Sequence, residues 1–299
     1  MRLRVLGSAA GGGFPQWNCA CPNCSAVRAG SSRFSARTQD SIAVGADDGS
    51  WVLLNASPDV LHQIERTPAL QPREGRKTPI RAVVLTNGDL DHCLGLLMLR
   101  ESTPLVLYAT RTVYEGLWET NVFFRTLERF KGHVRYVPLE IGARVSVLDG
   151  VSIEPFALVG KVPKHLEGRS ASSAEDNVGL VVRDDRSGAT AVYAGAAATT
   201  TGLDAALSEA RALFFDGTFW ASDELVRLGL GTARAEDMAH LPIGGQGGSL
   251  AALGALPGVR KVFTHVNNTN PILDSESPER TEIERAGWEV ATDGMELVL

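Results

Sequence analysis

Long apolar stretches are missing from this sequence, and their absence excludes a large class of proteins. No run of apolar residues approaches the roughly 18 that a membrane-spanning helix needs. The apolar run nearest the N-terminus, residues 3–6, is short and contains Arg4, so it cannot form the apolar core of a secretory signal peptide. We therefore expect a cytoplasmic protein with no membrane span.

Basic residues are outnumbered by acidic ones. The chain has 29 Lys and Arg against 35 Asp and Glu, which gives a formal net charge of −6. A protein that binds nucleic acid through charge needs a basic face, so we expect no nucleic-acid partner. The sequence leaves open whether the chain forms a homodimer.

Cysteine is scarce but crowded. Of the four cysteines, three lie in the pattern C-x-C-x-x-C as Cys19, Cys21 and Cys24. In a reducing compartment such crowding indicates metal binding before a disulfide, and a disulfide between the two-apart pair would be strained. Three thiolates in a loop predict a structural zinc site that needs a fourth ligand. The remaining thiol, Cys93, is adjacent to His92, and we expect it to pack beneath the site described next.

The pattern of apolar residues predicts a mixed α/β fold in one domain that spans residues 1–299. The chain is 299 residues long with 44% hydrophobic residues, enough for a large core. Strands are predicted over residues 3–6, 41–44, 51–54, 82–86, 105–108, 178–183, 190–193, 212–215 and 261–264. Helices are predicted over residues 59–66, 95–101, 111–130, 203–209 and 249–256. The polar stretch 163–177 is predicted to be a mobile flap.

Metal-binding side chains follow several of the predicted strands. The strand at 82–86 runs into a loop that contains Asp89, Asp91 and His92, the strand at 212–215 ends at Asp216, and the strand at 261–264 runs into His265. Ligands in α/β sheets bind at the carboxyl ends of strands, and carboxylates with imidazoles suit transition metals. Each loop taken alone could be a solvated turn, but three such coincidences favour a metal site.

These loops resemble those of the metallo-β-lactamase superfamily. A strand leading into a T-[H/N]-x-[H/D]-x-D-H loop, followed by an Asp and finally a His at later strand ends, is that superfamily's pattern. A closer resemblance, over essentially the whole chain, is to the branch that serves the biosynthesis of pyrroloquinoline quinone (PQQ). It is carried by the three clustered cysteines and by residues 7–17 (GSAAGGGFPQW), 55–59 (NASPD), 86–92 (TNGDLDH), 215–220 (FDGTFW) and 265–273 (HVNNTNPIL). The resemblance implies a four-layer αββα sandwich with the metals at one edge.

The sequence departs from the hydrolytic members of the superfamily in this loop. The hydrolytic members resemble one another in the pattern H-x-H-x-D-H. In this sequence Asn87 and Asp89 stand at the positions of the first two histidines. We expect this to weaken the first of two metal sites, since Asn is a poor ligand beside imidazole. His165 is the one available histidine in the middle of the chain, and its polar loop predicts a surface position.

With the first site weakened, the main candidate ligands are Asp91, His92 and His265. Asp89 and Asp216 are expected close by as further ligands. Two imidazoles and one carboxylate are the ligand set of non-haem iron(II) oxygenases. The resemblance implies an Fe(II) centre that uses O2 to hydroxylate the tyrosine ring of a small glutamate–tyrosine intermediate, with other proteins of the PQQ pathway as possible partners. Zinc can substitute, because zinc binds such sites more tightly than ferrous iron.

Resemblance and residue chemistry also suggest supporting roles. His240 corresponds to a histidine that transfers protons in tRNA-processing relatives, and its alternatives are direct metal ligation or a bond to a backbone carbonyl. Arg37 and either Lys161 or Lys164 are predicted to bind substrate carboxylates, although each could be an ordinary surface charge. Phosphodiesterase relatives have a zinc-binding histidine at the position of Asn268, which makes Asn268 a possible, weak fourth ligand to the zinc.

Two other functions stay open on the sequence alone. One is a metal-dependent hydrolase, as in most members of the superfamily, against which Asn87 and Asp89 argue. The other is a non-catalytic carrier that assists transport of PQQ or its precursor to the periplasm.

Overall fold

The computed structural model describes residues 1–101 and 103–299, and it contains two seven-stranded sheets. The first sheet has the order β14-β1-β2-β3-β4-β5-β6. Its strands are β1 (Arg2–Gly7), β2 (Ser41–Gly45), β3 (Trp51–Leu54), β4 (Ile80–Val84), β5 (Leu105–Ala109), β6 (Val134–Pro138) and β14 (Glu296–Val298). The second sheet has the order β13-β12-β11-β10-β9-β8-β7. Its strands are β7 (Val145–Leu148), β8 (Val151–Ala157), β9 (Val178–Asp184), β10 (Thr190–Ala194), β11 (Ala210–Asp216), β12 (Arg260–Thr264) and β13 (Trp288–Val290).

Eight α-helices are found in the described part of the chain, joined to the strands by loops and short 3-10 turns. The helices are α1 (Pro22–Arg28), α2 (Val60–Glu65), α3 (Leu90–Cys93), α4 (Arg111–Trp118), α5 (Leu203–Leu207), α6 (Glu224–Arg227), α7 (Ser249–Ala252) and α8 (Pro278–Arg285). The 3-10 turns are Pro68–Leu70, Leu94–Leu99, Phe124–Arg129, Lys164–Leu166, Glu236–Met238 and Pro271–Leu273. None of the helices in the described residues is long and apolar enough to cross a bilayer.

Each sheet is half antiparallel and half parallel, and this division positions the site. β3 to β6 are parallel in the first sheet, and β10 to β13 are parallel in the second. Parallel neighbours deliver their carboxyl ends to the same edge of a sheet. The loops that follow β4, β11 and β12 therefore gather at one edge of the molecule.

The core lies between the sheets and on their outer faces. Alternating residues of both sheets, such as Val5, Ile42, Ile153 and Leu180, form the buried cluster between them. The outer face of the first sheet is covered by α2 and α4, and that of the second by α5 and α8. The arrangement is a four-layer αββα sandwich, which confirms the predicted fold class.

Four sequence predictions about local structure were wrong. The segment predicted as a helix over 95–101 is the 3-10 turn Leu94–Leu99. The predicted helix over 111–130 ends at Trp118, because side chains take the last carbonyls of α4: Arg125 donates to Trp118 O and Asn121 Nδ2 donates to Gly116 O. The cysteine segment, predicted as a loop, includes α1, which begins with Pro22 in its first turn. The edge strands β6, β7, β13 and β14, together with β8, were missed.

Gly95 lies where two backbone segments meet beneath the metal-binding loop. Its amide donates to Ala56 O at 2.8 Å, and a Cβ at this position would lie 2.2 Å from Ser57 O and 2.7 Å from Ala56 O. Since backbone oxygens cannot move aside as a flexible side chain can, we expect Gly95→Ala to lower the free energy of unfolding by about 1–3 kcal/mol. Thermal or denaturant unfolding measures this change.

The matched control is Gly231→Ala, where the nearest atoms to an added Cβ are 3.9 Å away. We expect this control to stay within about 0.5 kcal/mol of the native protein. Equal stability of the two variants would contradict the close approach at Gly95.

Candidate metal centre

Both sheets supply residues to one group of ligands. Asp91 and His92 lie in α3, a short helix that follows β4 of the first sheet. His265 directly follows β12 of the second sheet. One ligand atom from each of the three residues lies within 4.8 Å of the others. His265 Nε2 is 3.2 Å from Asp91 Oδ2, and His92 Nε2 is 3.8 Å from the same oxygen. The sequence prediction that these residues converge on one point therefore agrees with their positions.

The chemistry of this group fits a bound cation. His92 is 1% exposed, and neither of its ring nitrogens has a hydrogen-bond partner among the described residues. A buried imidazole without partners is costly, and a metal ion at the point where the three side chains meet would provide one.

The electrostatics also favour a cation. Burial raises the pKa of the Asp91 carboxyl, but the charge on His92 and the hydrogen bond from His265 outweigh it and hold that pKa below its usual range. Burial lowers the pKa of His265, whereas its bond to Asp91 and the charges of Asp91, Asp40 and Asp216 raise it to about 9. A metal ion can take the place of this proton between the carboxylate and the imidazole.

Thr218 sets the orientation of His265. The Thr218 hydroxyl donates to the carbonyl oxygen of His265 at 3.0 Å and lies 2.9 Å from Nδ1 of the same residue. Since the hydroxyl proton is used in that bond, the Thr218 oxygen accepts from Nδ1–H of His265. Nε2 would then be the nitrogen that binds a metal ion beside Asp91. No pattern in the sequence singled out Thr218, although it lies two residues after the strand-end Asp216.

A second group shares His265 and adds Asp216 and His240. Asp216 is fully buried; its Oδ2 accepts from His240 Nδ1 at 2.6 Å and from Ala197 N at 2.8 Å. Its Oδ1 accepts from Thr218 N at 2.9 Å. Because both oxygens of Asp216 are engaged, this carboxylate is well placed to orient His240.

Backbone strain is concentrated around the two groups. Three non-glycine residues in the described chain have positive φ angles: Asn55 at 64°, Ala239 at 61° and His265 at 54°. Ala239 directly precedes His240, and His265 is itself in both groups. Such conformations cost about 1–3 kcal/mol each and cluster at functional sites.

Asp89, predicted as a metal ligand, lies outside both groups. Burial raises the pKa of its carboxyl, as does the neighbouring charge of Asp91, while the charges on His92 and Lys161 lower it. Asp89 therefore lies in the same loop as Asp91 and His92 without belonging to either group.

Arg37, predicted to bind substrate, needs correction. The side chain is only 7% exposed, and its guanidinium donates to the backbone oxygen of Ala291 and to Ser8 Oγ. Burial lowers its pKa to about 10. Arg37 therefore joins buried backbone segments and does not line a pocket. The sequence alone could not show that the backbone at Ala291 lies beside Arg37.

His165 was also placed wrongly. Both of its ring nitrogens are shielded from solvent, and a Cβ on Gly88 would lie 3.8 Å from its Cε1. The flap thus packs on the metal-binding loop, and Asn87 Nδ2 donates to Asn177 Oδ1 at the other end of the flap at 3.3 Å. Asn87 fills the position of the first superfamily histidine with an amide that is already bonded.

The three clustered cysteines form a separate site. Their sulfurs lie within 4.8 Å of one another, and Asn268 Nδ2 lies 3.2 Å, 3.6 Å and 3.4 Å from Cys19, Cys21 and Cys24. Burial raises the pKa of Cys21 to about 11, while hydrogen bonds outweigh burial and lower that of Cys19. Asn268 thus lies against all three sulfurs, and a rotated amide would turn its oxygen toward a metal held there. Cys93, the last residue of α3, is fully buried and lies outside the cluster.

Comparison with known proteins identifies the family. A beta-lactamase superfamily domain matches residues 50–266. The curated "Coenzyme PQQ synthesis protein B" of Methylobacterium radiotolerans is 45% identical over 304 residues, and that of Azoarcus sp. (strain BH72) is 47% identical over 304 residues; each alignment covers 100% of both chains.

Solved structures agree. The Zn(2+)-bound PqqB from Methylobacterium extorquens matches with a TM-score of 0.94 and 42% identity, covering 100% of both chains. A diphosphatase from the PhnP family matches with a TM-score of 0.68 and 22% identity over 99% of this chain and 97% of the other, which shows a shared fold. The chain therefore belongs to the coenzyme PQQ synthesis protein B family of the beta-lactamase superfamily.

Proposed function

We propose that this protein acts in PQQ synthesis as an iron-dependent oxygenase that hydroxylates the tyrosine ring of a glutamate–tyrosine intermediate. Family membership supports the pathway. The observation that carries the reaction type is the convergence of Asp91, His92 and His265 at one point, with a bonded Asn87 where hydrolytic relatives have an imidazole. Two imidazoles and a carboxylate with open positions suit ferrous iron and O2.

Asp91 Oδ2 and the Nε2 atoms of His92 and His265 would hold the metal. Bound iron would supply the one-electron and O2 chemistry that the protein's own side chains lack. Forming a catechol from a phenol with O2 also consumes two electrons, which an external reductant must provide. The zinc named for the Methylobacterium extorquens structure is compatible with this ligand set, since zinc outcompetes ferrous iron at nitrogen and oxygen ligands.

His240 would move the phenolic proton of the substrate. Its Nδ1–H donates to Asp216, so the lone pair of its Nε2 is free to accept a proton. Asp216 holds the ring in this tautomer and stabilises the imidazolium that forms, as a carboxylate does in other His–Asp pairs.

Lys161 would bind a carboxylate of the substrate. Lys161 is two residues before Pro163, whose Cγ would lie 3.1 Å from a Cβ on Gly88 in the loop that carries Asp91, and its charge lowers the pKa of Asp89. A cation here complements an intermediate that carries several carboxylates.

The cysteine cluster would hold a structural zinc. Three thiolates and the Asn268 side chain make up a four-membered shell, which is the number a structural zinc prefers.

Two alternatives are less well supported. A two-metal hydrolase needs ligands on both sides of an activated water, and Asn87 takes one of those positions. A carrier for the carboxylate-rich quinone would need a basic cavity. A cavity of about 710 Å³ beside α6 is instead lined by Glu224, Glu236 and Glu279 against Arg227.

The two metal sites should be separable by mutation. We expect Asp91→Ala and His92→Ala to lose iron and keep zinc in the cysteine cluster, because each removes a ligand from the first site alone. Cys19→Ala should lose the structural zinc and keep the capacity to bind iron if it folds. Elemental analysis of purified, metal-loaded proteins measures both metals, and loss of both from His92→Ala would contradict two independent sites.

Activity should depend on the same residues. We expect the iron-loaded protein, with O2 and a reductant, to convert the tyrosine of a glutamyl-tyrosine ligand to a catechol, detected by mass spectrometry. Failure with every reductant tried would overturn the proposal.

The role of His240 is tested by His240→Asn. We expect this variant to retain iron and to lose about 10²–10⁴-fold in kcat, the usual worth of a proton-transfer group. Loss of iron from His240→Asn would show that His240 is a ligand instead.

Substrate binding by Lys161 is tested by Lys161→Met. We expect KM to rise about tenfold with kcat nearly unchanged, because the contact is present both before and during reaction. The matched control is Lys164→Met, since Lys164 is exposed and paired with Glu167 at 2.6 Å. An equal effect of both substitutions would point to the flap's overall charge.

A further inference from the structure

A buried carboxylate that belongs to neither ligand group lies beneath the metal centre. Asp40 directly precedes β2 and is 0% exposed. Its Oδ1 accepts from the hydroxyl of Thr264, the residue before His265, and its Oδ2 accepts from the hydroxyl of Tyr193. No Lys, Arg or His in the described part of the chain forms a salt bridge with it.

The directions of the surrounding hydrogen bonds can be assigned from one fixed donor. The backbone N–H of Thr86 donates to Asn55 Oδ1 at 3.0 Å, and since a backbone amide can only donate, the orientation of the Asn55 amide follows. Asn55 Nδ2 therefore donates to the Tyr193 hydroxyl at 3.1 Å. The Tyr193 proton is left to donate to Asp40.

Asp40 thus accepts from two hydroxyls and donates nothing, which is the pattern of an ionised carboxylate. Burial and the charge of Asp91 raise the pKa of Asp40, and the charge on His265 and the bonds from Thr264 and Tyr193 offset only part of that rise. An unpaired charge in the interior is costly unless a counter-charge lies nearby. The metal-binding group offers a place for one, because Asp40 accepts from Thr264, the residue that directly precedes His265.

We propose that Asp40 is the buried counter-charge of the metal centre, held ionised by Tyr193 and Thr264, and that it stabilises the ferric over the ferrous state of bound iron. This inference depends on the proposed metal site. Attraction to a fixed negative charge grows with the charge of the ion, so Asp40 lowers the reduction potential. It is a positioning residue, since it touches a neighbour of His265 and not the metal.

A purely structural role is the competing explanation. The network of Asp40, Tyr193, Asn55, Thr264 and Thr86 joins the ends of strands from both sheets, so its loss could loosen the whole site. Loosening would weaken both oxidation states alike, whereas loss of a charge weakens the ferric state more. The ratio of the two affinities therefore separates the explanations.

The experiment measures the Fe(III)/Fe(II) midpoint potential of the iron-loaded protein and its Zn²⁺ affinity by competition with a chelator. For Asp40→Asn we expect the ratio of ferric to ferrous affinity to fall about tenfold, a shift of about 59 mV to more positive potential. Zn²⁺ affinity at this site should fall about tenfold. Asp40→Ser is a second neutral variant in case the first does not fold.

Two variants serve as controls. Tyr193→Phe removes one of the two hydrogen bonds to Asp40 but leaves the carboxylate, the bond from Thr264 and the bound metal as its counter-charge. We therefore expect lower stability, with the ratio of ferric to ferrous affinity within about threefold of the native value. Asp184→Asn removes a carboxylate paired with the N-terminus, at the far end of β9, and should leave the potential unchanged.

An unchanged ratio in both neutral variants at position 40 would overturn the inference, as would an equal shift in Tyr193→Phe. A native protein that takes up no iron at Asp91, His92 and His265 would instead overturn the proposed function. In that event a fall in Zn²⁺ affinity in Asp40→Asn that is absent from Tyr193→Phe would still support Asp40 as a counter-charge, and equal affinities in the two variants would contradict it.

Discussion

The contact between the Asp91 carboxylate and the His265 imidazole is the constraint on which the site depends. Asp91 follows a strand of the first sheet, and His265 follows a strand of the second, so their 3.2 Å separation exists only when the two sheets pack in one register. The shared apolar core between the sheets enforces that register. Slippage of either sheet by one residue would reverse its faces and separate the ligands, so the packing energy of the sandwich is also what assembles the metal centre.

Site residues at strand ends could be predicted from the sequence. Residues whose surroundings are set by backbone from remote parts of the chain could not. Asp91, His92, His265 and Asp216 each follow an apolar run, and parallel strands bring such positions to one edge. Arg37 looked like a pocket residue because nothing local shows that Ala291 O lies against its guanidinium. His165 looked exposed because polar neighbours surround it in sequence, although the flap folds it onto Gly88.

The helices and edge strands failed for a related reason. The apolar spacing of residues 111–130 is helical throughout, but side-chain hydrogen bonds to backbone carbonyls end α4 at Trp118. Such bonds replace the helical backbone bonds, and the spacing of apolar residues gives no sign of them. β13 and β14 have three residues each, too short to show an alternating pattern. The cysteine cluster was predictable because its members are close in sequence. The contacts of Thr218 with His265 and of Asp40 with Thr264 instead join residues more than 40 positions apart.

One short segment links the two metal sites. His265 and Asn268 are three residues apart, one in the ligand group and the other against the three cysteine sulfurs. Between and beyond them, Asn267 N donates to Thr218 O, and Asn270 Nδ2 donates to Gly217 O. His265 has a strained φ of 54° that only its surroundings can maintain. A zinc that fixes Asn268 would help to hold this strained backbone, so the cysteine cluster would contribute to the geometry of the group formed by Asp91, His92 and His265 without supplying any ligand to it.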